Sequence, residues 1–223
     1  MALNNEQVKS LDISIKKYNF PAVYFDFDSK QEIRAADMPE LETYIQGSLT
    51  SEREQDVKNG LANVLYWGYG QMGIRNTRVQ RFFEGISSSH INLFQNLIEN
   101  NDNLTLREIK NIHMPQYSGI SFISKILTFL NPVNYCVLDK QILKIKNGCE
   151  HRALSNIRIP NRGTQIIVTA HNEGVYNAWR AECKNISEKY FDGKYRAVDI
   201  ERGFFNFVQK NDVSWAQKIY AGF

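Results

Sequence analysis

The sequence predicts a mostly α-helical protein with little or no sheet, and three features carry that expectation. Apolar residues recur at spacings of three and four along most of the chain. Strand-like patterning is confined to residues 23–27, which alternate, and to the β-branched run 166–169; neither is followed by a clear hairpin turn. There is no internal repeat, low-complexity tract or Pro- or Ser-rich linker, which predicts one domain over 1–223 rather than two tethered ones.

Val57, Leu61, Val64 and Leu65 form one helical stripe, and Ile91, Phe94, Leu97 and Ile98 a second. Thr105 followed by Glu108 reads as a capping box that opens a short helix to about residue 112. After a turn containing Pro115 and Gly119, a second helix places Phe122, Ile123, Ile126, Leu127, Phe129 and Leu130 on one broad face. Ser121, Ser124, Lys125 and Thr128 occupy the other. Asn131-Pro132 ends that helix, because the residue before proline is pushed out of the α region. A short apolar approach, Tyr135-Cys136-Val137-Leu138, then delivers Asp139 to the start of another helix, from Gln141 to about residue 145. Val175, Trp179, Ile186 and Tyr190 mark a longer late helix, and Val198, Phe204, Phe205 and Val208 a last one.

Hydrophobic residues at 43% and charged residues at 23% match ordinary globular proteins and exclude the disordered and membrane classes. No apolar run approaches the ~20 residues that span a bilayer, and the first ten residues lack a secretory pattern. A cytoplasmic, bacterial-type intracellular protein is expected, without contact with a membrane, and a monomer. Cys136, Cys149 and Cys183 are odd in number, widely spaced and free of any CxxC pair, which points away from a disulfide framework or a zinc site. Three thiols cannot hold a four-thiolate iron–sulfur cluster, and no metal or cofactor is expected.

A formal net charge of +3 does not by itself indicate a polyanionic partner. Its distribution says more: residues 151–172 contain no Asp or Glu, while Arg152, Arg158 and Arg162 fall in one Pro- and Gly-containing stretch. Such a loop can follow a phosphate backbone, and it reads equally as a solvated basic loop with no partner.

The segment 105–146 carries the functional argument. In a helix–turn–helix of this kind, backbone N–H groups at the start of the second helix point outward and the helix dipole adds positive character, so a phosphate can be gripped without lysine. Met114-Pro115, Gly119-Ile120-Ser121 and Val137-Leu138-Asp139-Lys140-Gln141-Ile142 resemble the helix-hairpin-helix DNA glycosylases, the superfamily of endonuclease III, the adenine-mismatch glycosylase and 8-oxoguanine DNA glycosylase. The likeness covers roughly 35 residues directly, and it is to a divergent 8-oxoguanine-glycosylase-like branch without an iron–sulfur cluster. Two departures stand out. Gln116-Tyr117-Ser118 looks like an insertion in the turn, and Ser121 replaces the usual second glycine. The nucleophilic lysine of the family's bifunctional members falls at Ile123, whereas Lys125 lies two residues on.

The resemblance implies a helical fold of two lobes around a cleft, DNA as partner, and a monofunctional hydrolase that leaves an abasic site. Asp139 is the implied catalytic carboxylate, since an ionised carboxylate beneath the anomeric carbon stabilises an oxocarbenium-like sugar. It also reads as an N-cap, a role that aspartate prefers. Lys125 is a candidate for a backbone contact or for attack on the sugar, and equally a solvated lysine on a polar face. Base removal from a duplex requires a pocket for a flipped base; Tyr66, Trp67, Tyr69 and Gln71, followed by Arg75 and Arg78, supply aromatics, an amide and cations in one segment. Aromatics at helical spacing also read as core. Gln116, Tyr117, Ser118, Gly119, Ser121 and Ser124 complete the candidate DNA-binding set. The unusual turn points to an atypical substrate, such as a modified base in phage DNA removed in an antiviral defence, with ordinary repair as the other role. A non-catalytic helix-hairpin-helix module that only holds phosphates, and an interaction scaffold without DNA affinity, are the competing classes.

Overall fold

The computed structural model describes residues 2–70, 72–160 and 165–223. Helix accounts for 62% of the chain and strand for 5%, the mostly α class that the periodicity predicts. The chain divides into two compact units: a terminal unit of 1–19 with 131–223, and a central unit of 20–130. The boundary at residue 131 therefore divides the 105–146 segment between them.

In the terminal unit, α1 (Asn5–Lys16) starts at a capping box in which Asn4 and Gln7 exchange hydrogen bonds. Downstream come α8 (Ala170–Phe191), α9 (Ala197–Gln209) and α10 (Val213–Gly222). The 166–169 run gives no strand, only an isolated bridge ahead of α8. Nor is α9 the last helix, as the stripes alone suggested: Ala216, Ile219 and Tyr220 bury one side of α10. Trp179, Phe204 and Tyr220 meet at ring-centroid distances of 5.5–6.0 Å and form the aromatic centre of this unit. Beside them lie the buried thiols of Cys136 and Cys183, 4.0 Å apart.

Helices α1 and α9 pack closely because residue 203 is glycine. A Cβ there would sit 2.6 Å from Ile15 Cγ1 and 2.9 Å from Leu11 Cδ1, and the approach lets Ser14 Oγ donate to the Gly203 carbonyl at 2.8 Å. Gly203→Ala is expected to cost ~1–3 kcal/mol by overpacking, measurable as a lower urea midpoint.

The central unit opens with an antiparallel hairpin, β1 (Val23–Asp26) and β2 (Gln31–Arg34), in the register Val23↔Arg34 to Asp26↔Gln31. A hairpin turn thus does follow residues 23–27. Asp26 supplies it by accepting from the N–H groups of Asp28 and Ser29, and Lys30 adopts φ 57°. Helices α2 (Met38–Leu49), α3 (Glu54–Tyr69), α4 (Arg75–Gly85), α5 (Ser88–Glu99), α6 (Leu106–Asn111) and α7 (Ile120–Leu130) complete the unit. The fully buried Asn63 of α3 holds the hairpin by accepting from Phe25 N–H at 2.7 Å and donating to its carbonyl at 3.0 Å. No helix among the described residues is long and apolar enough to cross a membrane.

Candidate functional site

The predicted helix–turn–helix is present in the central unit. Thr105 and Glu108 form the capping box of α6, the chain turns through 112–119, and α7 runs to Leu130. Left-handed backbone in this turn falls on His113 (φ 60°) and Gln116 (φ 70°) rather than on a glycine. Gln116 is anchored by accepting from Arg78 Nη1 at 3.1 Å. Ser118 is exposed, and Gly119 and Ser121 are half-buried.

The expectation of a solvated polar face on α7 is corrected. Ser124, Lys125 and Thr128 are buried together with the apolar residues. Their polar atoms turn back onto the helix: Thr128 Oγ1 donates to the Ser124 carbonyl at 2.8 Å, Ser124 Oγ to the Ser121 carbonyl at 3.3 Å, and Lys125 Nζ to the same carbonyl at 3.1 Å. Burial removes Ser124 from the surface contacts. Tyr117 is likewise core and not a DNA contact. Its side chain is 1% exposed, its hydroxyl donates to the Leu61 carbonyl at 2.5 Å, and burial raises its phenol well above the ordinary range.

A glycine makes room for Lys125. Gly68 lies inside α3, and a Cβ there would meet Phe122 Cε1 at 2.7 Å and Lys125 Cδ at 2.9 Å. The lysine stem thus lies along the α3 backbone with its Nζ 5.2 Å from the Phe122 ring centroid. Tyr69 packs on Phe122 with centroids 4.5 Å apart, and Arg78 sits 5.9 Å from the Tyr69 ring centroid. Burial raises the Tyr69 phenol, with Arg78 opposing. Gly68, Tyr69, Arg78, Gln116, Phe122 and Lys125 therefore form one group, drawn from α3, α4, the turn and α7. Sequence reasoning did not single out Gly68 or Phe122 as site residues; a glycine inside a helical pattern was the available signal.

Of the three described members of the aromatic set, only Tyr69 is not fully buried. Tyr66 is buried and donates to Glu32 Oε2 at 2.6 Å, and the same carboxylate pairs with Arg75 at 3.1 Å. The Arg75 guanidinium lies over the Tyr66 ring at 3.9 Å. Burial, then Glu32, pushes the Tyr66 phenol up to about 12, with Arg75 opposing. Trp67 packs edge-on against Phe20 and Phe129 at 5.3 and 5.1 Å. Its buried Nε1 has no acceptor among the described residues. Gln71 lies outside the described residues.

Asp139 belongs to the terminal unit. Its Oδ1 accepts from Gln141 N–H at 2.9 Å and Ile142 N–H at 3.1 Å, capping a 3-10 turn over Ile142–Lys146 in place of the expected helix. Nearby in the same unit, the Tyr18 phenol is raised by desolvation, with Arg202 opposing and Glu201 and Asp139 adding to the rise. Glu201 and Arg202 are themselves buried, so Asp139 stands beside a dense polar group.

Of the basic loop, Arg152 is engaged internally. Its guanidinium stacks 3.5 Å from the Phe223 ring centroid and donates to the Ala221 carbonyl, which removes it from the exposed cations. Arg158 is exposed, with its backbone pinned by the buried Asn172, which accepts from Arg158 N–H at 2.9 Å and donates to its carbonyl at 2.8 Å. Arg162 lies outside the described residues. No group of three or more His, Cys, Asp or Glu among the described residues is placed to hold a metal ion.

No family model, curated protein or solved structure matches this chain.

Proposed function

We propose that the chain is a monofunctional DNA glycosylase that hydrolyses the N-glycosidic bond of a damaged or modified base flipped from DNA, leaving an abasic site. The observation that carries the proposal is the placement of Asp139. A carboxylate fixed on two backbone amides follows a helix–turn–helix segment of the resembling form. In the proposed reaction the C1′–N bond breaks with its electron pair leaving on the base. Asp139 stabilises the positive sugar, water adds its oxygen at C1′, and the proton that the water gives up ends on the departing base. Ser118, Gly119 and Ser121 with Arg78 are the proposed phosphate contacts. Lys125, buried with its Nζ on the Ser121 carbonyl, is assigned to shaping the group around Gly68 rather than to attack on the sugar.

The test is incubation with duplexes that each carry one altered base, followed by alkali to cut at abasic sites and, in parallel, by borohydride. Alkali-dependent cleavage at one class of altered base, with no borohydride adduct, is the expected result. An adduct that disappears in Lys125→Ala would instead make the protein a lyase with an amine nucleophile. One observation favours a second reading: Asp139 also serves as a cap, the role it would have in a non-catalytic module that binds phosphates alone. That module would bind DNA with a steep salt dependence and never produce abasic sites.

A further inference from the structure

Among the described residues, the segment that delivers Asp139 runs beside no partner strand, yet most of its carbonyls are occupied. Backbone N–H groups at the start of α9 donate to Pro132 and Val133, Ala197 to Val133 at 3.3 Å and Val198 to Pro132 at 3.4 Å. From there on the donors are side chains along one edge of α8. Arg180 Nε donates to the Asn134 carbonyl at 2.9 Å, with its guanidinium 3.8 Å from the Tyr135 ring centroid. Tyr176 hydroxyl donates to the Cys136 carbonyl at 3.0 Å, and Trp179 Nε1 to the Val137 carbonyl at 3.2 Å. Lys184 Nζ reaches the Asn134 side chain. Positions 176, 180 and 184 repeat every four residues, with 179 beside them, so a single helix face carries all four donors.

Tyr176 and Trp179 are 1% and 0% exposed. An extended carbonyl buried without a donor is costly, so these two side chains fix the path of the chain and do more than fill volume. Two residues after the Val137 carbonyl comes Asp139, whose carboxylate must reach the amides of Gln141 and Ile142. We propose that Tyr176 and Trp179 are positioning residues for Asp139: α8 acts as a splint that sets the register of 134–138 and so the pose of the carboxylate. The catalytic meaning of that pose rests on the glycosylase reading; the positioning itself does not.

The experiment measures amide exchange at Gln141 and Ile142 by NMR in the full chain. Tyr176→Phe removes one hydroxyl and keeps the ring, and Trp179→Phe removes the indole donor. Tyr220→Phe serves as the control, since its hydroxyl is also buried but bonds Glu182 and Leu154 instead. Loss of one buried hydrogen bond predicts exchange at Gln141 and Ile142 faster by about tenfold in the first two variants, and by less than about twofold in the control. Exchange unchanged in Tyr176→Phe and Trp179→Phe, or raised equally in Tyr220→Phe, would overturn the proposal. On altered-base duplexes the same two variants should lower the maximal rate of base release about tenfold and leave DNA affinity unchanged. If the wild-type chain releases no base, the glycosylase reading fails while the exchange result still decides the positioning.

Discussion

Asp139→Asn is expected to fold, to bind DNA as the wild type does, and to release base slower by about a hundredfold or more. The size follows from removing a charge placed against a developing cation, a loss of a few kcal/mol in the transition state. The substitution keeps the side-chain volume and an oxygen that can still accept from Gln141 and Ile142, so the cap survives while the charge is lost. Single-turnover rates on a cleaved duplex check the first part, and circular dichroism with unfolding checks the second. A variant as fast as wild type would reduce Asp139 to its capping role.

The largest stability effect is expected at Trp179. It is fully buried, contacts Phe204 and Tyr220, and donates to the Val137 carbonyl. Trp179→Ala removes the ring, leaves a cavity and orphans a carbonyl, for a loss of ~3–5 kcal/mol. Denaturant unfolding monitored by circular dichroism reads this loss directly. A loss under ~1 kcal/mol would mean that neighbouring rings refill the site, and that Trp179 is not the centre of the terminal unit.

The helices were legible where one face is apolar and a cap is spelled out, as at Thr105 and Glu108. The β1–β2 turn was not, because it uses neither Asn-Gly nor Asp-Gly. Its geometry comes from the Asp26 side chain and from Lys30 in left-handed backbone, and such local hydrogen bonding leaves little trace in a hydropathy pattern. The burial of Ser124, Lys125 and Thr128 was illegible for a related reason. Each returns its polar atom to a carbonyl of its own helix, so a face polar in composition can be buried at low cost. Tyr117 misled in the same direction, since a tyrosine in a polar turn reads as exposed until its hydroxyl is seen on the Leu61 carbonyl.

Asp139 was legible as both a cap and a candidate catalytic group, and only the cap is a matter of geometry. What periodicity could not give was the splint on α8. Tyr176, Trp179 and Arg180 read as one side of an amphipathic helix, while their partners are backbone carbonyls some forty residues away in sequence. Gly68 carried a weak signal as a glycine inside a helix, whose reason became clear from the Lys125 stem lying on it.

A chain that breaks N-glycosidic bonds, as proposed, must set a base free, and the released base itself can be measured. Duplexes carrying single altered bases are incubated with the wild-type chain and with Asp139→Asn, and the small-molecule fraction is analysed by mass spectrometry. The expected result is one class of free base, released by the wild type and nearly absent with the variant, while both proteins retain the duplex. Retention of the duplex by both proteins with no free base from any substrate would contradict it.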